Sequence, residues 1–67
     1  MINVQEMRSS VNHLVEVTLT DGMVIQGYCT EYLWPEDEEE EHNITIKQEE
    51  LYTEINQSEI KSIKIIS

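Results

Sequence analysis

The sequence predicts a mainly β fold: five strongly bent antiparallel strands that form a small, partly open barrel, preceded by a short α-helix. Three observations predict it. The chain has 67 residues, which is enough for a single domain, residues 1–67, with one compact core. Its apolar residues make up 39% of the chain and alternate with polar residues in short segments. Turn residues, above all Asp21-Gly22, separate these segments.

A short N-terminal helix is predicted at about residues 3–12. Apolar residues recur there at helical spacing, at Val4, Met7, Val11 and Leu14. Asn3 is placed to cap the helix, and Glu6 stands at the third helical position, as a capping box requires. A helix this short depends on tertiary packing, so we expect its apolar face to cover part of the barrel.

The first two strands form a predicted hairpin. In "LVEVTLTDG" the residues Val15, Val17 and Leu19 alternate with polar ones and are expected to face inward. The second strand follows in "MVIQGYCTEYLW", where the mid-strand Gly27 indicates a bend or a close approach of another backbone. Strict alternation would place Ile25, Cys29 and Leu33 on one face and the other face would carry Val24, Tyr28, Tyr32 and Trp34.

Three further strands complete the prediction. "NITIK" directs Ile44 and Ile46 inward, and "LYTEI" places Leu51, Thr53 and Ile55 on one face. "NQSE" is a predicted turn before the closing strand "IKSIKII", in which Ile63 and Ile65 alternate with Lys64. Closing such a sheet on itself removes most unpaired strand edges.

The net charge of −10 restricts the partners that the chain can attract. Four Lys and Arg residues offer little counterion release on nucleic-acid phosphates and little attraction to an anionic membrane. A basic protein surface, a cation or solubility alone fits the charge better. The single cysteine, Cys29, excludes an intramolecular disulfide, and no secretory or membrane-spanning segment is recognised, so the predicted location is cytoplasmic.

An acidic loop is predicted over residues 35–42, between the second and third strands. One interpretation is a solvated loop extended by repulsion between its carboxylates. Another is a docking surface for a basic partner, aided by the neighbouring aromatic residues. The predicted partner-binding residues are Tyr32, Trp34, Glu36, Asp37, Glu38, Glu39, Glu40 and Glu41. A divalent-cation site is a third interpretation, although the run lacks the Gly-punctuated spacing of an EF-hand.

The aromatic residues beside the loop also have a purely structural interpretation. Tyr28, Tyr32 and Trp34 would then cover the open end of the barrel or pack beneath the helix. Enzymatic activity is not predicted, because no nucleophile-and-base arrangement, Gly-rich phosphate loop or Cys/His metal cluster is visible. No cofactor is expected either.

The segment "LVEVTLTDGMVIQG" resembles the first motif of the Sm and LSm family, with alternating apolar residues, Asp-Gly and a bend Gly. "HNITI" is similar to the family's segment after the third loop, and its Asn43 stands at the position of an RNA-contacting Asn. The resemblance implies an Sm-like barrel and a possible RNA-associated ring that assembles through the last two strands. The family's Arg-Gly pair is missing, because Asn56 and Gln57 stand at that place in "INQSEI".

A weaker resemblance is to the Rho-binding antiterminator, an acidic Sm-like barrel. It is carried by "HL" before the first strand, "L-x-DG", "EYL" and the Ile-rich closing strand. Proteins of that type use a negative surface to engage the RNA-binding region of a transcription termination factor. The sequence predicts a non-catalytic protein-interaction module that docks a basic protein surface, and the resemblance implies that this module regulates a nucleic-acid-binding protein. An RNA-associated ring subunit and a cation-binding loop are the alternatives.

Overall fold

The computed structural model describes residues 2–37 and 40–67 of the chain. The elements in chain order are α1 (Val4–Ser9), β1 (Leu14–Leu19), β2 (Val24–Leu33), β3 (Asn43–Gln48), β4 (Leu51–Asn56), a 3₁₀ helix (Gln57–Glu59) and β5 (Ile60–Ile65). All five strands belong to one antiparallel sheet in the order β4-β3-β2-β1-β5. The predicted mainly β fold is confirmed, and the sheet is open because β4 and β5 form its two edges.

Helix α1 is shorter than predicted, although its cap is where the sequence indicates. The side-chain oxygen of Asn3 accepts a hydrogen bond from the Glu6 amide at 2.8 Å. The predicted extent of 3–12 is wrong at its end, since the helix stops at Ser9. The hydroxyl of Ser10 donates to the Glu6 carbonyl at 2.7 Å, and Asn12 has a φ of 69°, which an α-helix does not accommodate.

The β1–β2 hairpin follows the sequence pattern closely. Val15 and Val17 are fully buried, as their alternation predicts. The connection is the four-residue loop 20–23, in which Gly22 adopts a φ of +94°, so this Gly supplies the left-handed conformation that the turn requires. The Asp21 carboxylate accepts a hydrogen bond from the Met23 amide at 2.9 Å and thereby fixes the turn.

Gly27 allows the end of β3 to cross closely over the middle of β2. A Cβ atom added at Gly27 would lie 2.6 Å from the Lys47 carbonyl oxygen and 2.6 Å from Ile46 Cγ2. Neither distance is compatible with a methyl group, so the two strands could not approach as they do with any other residue here. The predicted close backbone approach at Gly27 is confirmed.

The predicted common face of Tyr28 and Tyr32 is wrong, because a β-bulge interrupts β2. The pairing with β3 shifts register between Cys29 and Glu31, which leaves Thr30 as an extra residue. Tyr28 therefore pairs with the exposed Lys47, on the outer face.

Beyond the bulge the inward and outward positions of β2 are exchanged. Tyr32 pairs with the buried Ile44 and packs against the core. Leu33, which alternation would place beside Cys29 in the core, is exposed instead. A single inserted residue is enough for this exchange because successive side chains of a strand point to opposite faces.

The core contains buried side chains from all five strands and one side chain from α1. Its buried apolar members are Ile2, Met7, Val15, Val17, Cys29, Ile44, Ile46, Ile55 and Ile60. Two apolar residues at strand ends lie outside this core, since Leu51 is 63% exposed and Ile65 is 47% exposed. Among the described residues, no helix has the length and apolar character to cross a membrane.

Candidate functional site

The acidic loop connects β2 to β3, as predicted, and it carries its described carboxylates on the surface. Residues 34–37 and 40–42 lie outside the strands. Glu36, Asp37, Glu40 and Glu41 are all exposed. Two members of the predicted partner-binding set, Glu38 and Glu39, lie outside the described residues.

Trp34 is the most exposed large hydrophobic residue of the described chain. It follows directly after β2 and leaves 71% of its surface accessible to solvent. Its ring lies next to α1, with the Arg8 guanidinium carbon 5.9 Å from the ring centroid. This distance is within the range of a cation–π contact. An exposed indole beside several carboxylates combines an apolar anchor with negative charge.

Tyr32 connects the core to the end of the acidic loop and is only partly exposed. Its ring stacks on His42 with 5.7 Å between ring centroids and 16° between ring planes. The Tyr32 hydroxyl is also hydrogen-bonded to His42 Nδ1. Tyr32 thus supports the end of the loop through His42, and its contact with a partner stays a prediction.

Glu41 holds the C-terminal end of the acidic loop against the 3₁₀ helix. Its carboxylate accepts one hydrogen bond from the Ser58 amide at 2.9 Å and one from the Ser58 hydroxyl at 3.0 Å. A third hydrogen bond, from the backbone amide of Gln57 to the His42 carbonyl at 2.9 Å, holds the neighbouring residue. Asn56, the residue before the 3₁₀ helix, makes no side-chain cap, so Glu41 caps this helix from another part of the chain.

The N-terminal half of the loop has local structure of its own. The Glu40 amide donates to the Asp37 side-chain oxygen at 3.2 Å and to the Asp37 carbonyl at 3.3 Å. The Glu36 amide is 3.4 Å from Glu40 Oε2 and donates to it. These bonds connect the two described parts of the acidic run, residues 36–37 and Glu40.

The start of β3 contains polar atoms without a hydrogen-bond partner among the described residues. They are Asn43 Oδ1 and Thr45 Oγ1, and both atoms are buried. Asn43 pairs with Asn56 at the end of β4. The amide side chain of Gln57 donates to the Ile2 carbonyl at 2.8 Å, so it serves to attach the N-terminal segment.

Cys29 is fully buried in the core, as the sequence predicts. Burial raises the pKa of its thiol to about 11, and a hydrogen bond with the backbone of Glu31 opposes this shift only in part. The thiolate is the reactive form of cysteine, so this residue has low reactivity at neutral pH. Among the described residues, no three His, Cys, Asp or Glu side chains are arranged to hold a metal ion.

No family model, no curated protein and no solved structure matches this chain. The resemblance to the Sm and LSm family, and the weaker one to the Rho-binding antiterminator, therefore remain predictions from the residues quoted above.

The structure brings part of the predicted site together and adds two residues that the sequence does not reveal. Trp34 and the described carboxylates share the region after β2, whereas Tyr32 is turned toward the core. The added residues are Arg8, which lies over Trp34, and Ser58, which binds Glu41. Both are far from the loop in sequence, so only the fold reveals these contacts.

Proposed function

We propose that this chain is a non-catalytic protein-interaction module whose acidic loop and Trp34 dock a basic protein surface. The observation that carries the proposal is the exposed indole of Trp34 next to exposed carboxylates. Tryptophan is enriched among the residues that dominate protein interfaces, because it fills pockets and excludes water. Carboxylates around such an anchor guide a basic partner toward it and increase the association rate.

The anchoring of the loop also supports docking rather than solvation alone. Glu41 and His42 attach one end of the loop to the 3₁₀ helix, and the other end continues directly from β2. A loop held at both ends loses less conformational entropy on binding than a free one does. Glu41 contributes to this surface by positioning the loop, whereas Glu36 is the clearest candidate for direct contact.

The test is an affinity pull-down from a lysate of the source cells with three immobilised forms of the chain. The first is the wild type, and the second carries Glu36→Gln, Glu38→Gln and Glu39→Gln. The third is a matched control with Glu49→Gln, Glu50→Gln and Glu54→Gln, which removes the same charge from exposed positions of the β3–β4 hairpin. Both variants keep Glu41 and hence the attachment of the loop.

We expect the loop variant to lose a basic partner that both the wild type and the control variant retain. Capture should also weaken as salt is added, because exposed charges are screened beyond about 8 Å at physiological ionic strength. Equal capture by the wild type and the loop variant would contradict the proposal. Equal loss in the two variants would also contradict it, since the attraction would then follow net charge alone.

An RNA-associated ring subunit is the second candidate, and one observation favours it. The pairing of Asn43 with Asn56 brings together the two places where the family resemblance would put RNA-contacting residues. The sheet also has free edges at β4 and β5, which a ring would join. Against it, Asn56 and Gln57 stand where the family has an Arg-Gly pair. RNA binding at low salt together with an oligomeric mass in light scattering would favour this candidate over docking.

A further inference from the structure

Arg8 places a positive charge inside the acidic docking region. It stands in the last turn of α1, where the neighbouring Met7 is fully buried in the core. The buried Met7 fixes the orientation of this turn, so the exposed Arg8 is held on the outside of the helix. Its guanidinium carbon lies 5.9 Å from the centroid of the exposed Trp34 ring. This contact within the chain shows that a guanidinium can stack on the indole.

We propose that Arg8 covers the face of the Trp34 ring on which the partner binds. The partner supplies an arginine side chain, which competes with Arg8 for this position. The proposal rests on the function proposed above and names the chemistry of the partner: an arginine-bearing protein segment. Arg8 then weakens binding of any such segment, because it must leave the ring before the segment's guanidinium can stack there.

Arginine suits this surface better than lysine does. A guanidinium is planar, stacks on aromatic faces and is less strongly hydrated than an ammonium group. It can also donate two parallel hydrogen bonds to one carboxylate, and exposed carboxylates such as Glu36 and Glu40 lie in the same loop as Trp34. A lysine would gain from the negative charge but would lose the stacking and the paired hydrogen bonds.

The chain offers a matched control at a second cation–π pair. The Lys47 ammonium lies 5.7 Å from the centroid of the exposed Tyr52 ring, on the β3–β4 hairpin. Replacing Lys47 removes one positive charge and one ring contact, as replacing Arg8 does. The two replacements differ in the aromatic ring that is released, and only Trp34 belongs to the docking surface.

The experiment measures the fluorescence anisotropy of two labelled Gly-Ser peptides, one with three arginines and one with three lysines. They are titrated with the wild type and with Arg8→Gln, Lys47→Gln and Trp34→Leu. We expect Arg8→Gln to bind the arginine peptide about two- to fivefold more tightly, the range that corresponds to release of one exposed cation–π contact. Lys47→Gln should bind like the wild type, and Trp34→Leu should bind weakly and without preference for arginine.

A fourth variant, Arg8→Lys, keeps the charge of the helix and tests the same competition if Arg8→Gln folds poorly. It should also bind the arginine peptide more tightly than the wild type does, because lysine stacks less well on the ring. Equal tightening by Arg8→Gln and Lys47→Gln, or no preference for the arginine peptide, would overturn the inference and leave the docking function standing. Failure of both peptides to bind any form would overturn the docking function itself.

Discussion

Replacing Gly27 by alanine should destabilise the fold strongly, because β3 leaves no room for a side chain there. The added methyl carbon would lie 2.6 Å from the Lys47 carbonyl oxygen and 3.0 Å from Gln48 Cγ. The carbonyl cannot rotate away, since Lys47 is paired with Tyr28 on one side and with Tyr52 on the other. The two strands must therefore separate or distort locally.

The expected cost is a large share of the total stability. Overpacking a core typically costs about 1–3 kcal/mol, and the backbone contact puts Gly27→Ala at the upper end. Alanine returns roughly 0.5–1 kcal/mol, because it restricts the unfolded chain more than glycine does. The net loss of about 2 kcal/mol compares with a total of about 3–10 kcal/mol for a chain of 67 residues.

Urea unfolding followed by far-ultraviolet circular dichroism measures this loss. The control is Gln26→Ala on the same strand, whose exposed side chain should be replaceable within about 0.5 kcal/mol. The midpoint for Gly27→Ala should fall well below those of the wild type and the control, without a large change in the denaturant slope. A Gly27→Ala variant as stable as the control would refute the close crossing of β2 and β3.

Three further predictions concern single residues. Glu41→Ala should lower the free energy of unfolding by about 1 kcal/mol, because two hydrogen bonds to Ser58 are lost, whereas Glu36→Ala should have little effect in the same urea titration. Glu49→Asn should stabilise the β3–β4 turn by about 0.5 kcal/mol, because Glu49 has a φ of 57° and asparagine tolerates the left-handed region better than glutamate does. An unchanged melting temperature would contradict this prediction. Because burial raises the pKa of Cys29, the unfolded chain loses its thiol proton at lower pH than the folded chain does. The free energy of unfolding should therefore fall by up to about 3 kcal/mol as pH rises from about 9 to about 11. Cys29→Ala should lack this component of the pH profile.

The fold was largely predictable because its signals are local. Alternation in β1 predicts the buried Val15 and Val17, and the Asp-Gly dipeptide predicts the turn at Gly22. Two predictions were wrong, the faces of β2 and the end of α1, and both have local causes that hydrophobic periodicity does not reflect. The bulge at Thr30 reverses the faces of β2 without a glycine to mark it, and Ser10, directly after α1, ends the helix before Val11.

The candidate site was less predictable because its contacts join distant parts of the chain. A run of six acidic residues gives no sign that Glu41 binds the 3₁₀ helix. That role arises only when the β4–β5 connection folds back onto the loop. Arg8 and Trp34 likewise meet through the packing of α1, which no spacing in the sequence indicates.

The most direct test of the docking surface is amide and indole chemical-shift mapping of the labelled chain during titration with the three-arginine peptide. The largest changes should fall on the Trp34 indole, on the amides of residues 36–41 and on Arg8. In the same titration of Trp34→Leu, signals outside the acidic loop should not change. Changes centred on the edges β4 and β5, or spread evenly over the acidic surface, would contradict the assignment of this region as the docking site.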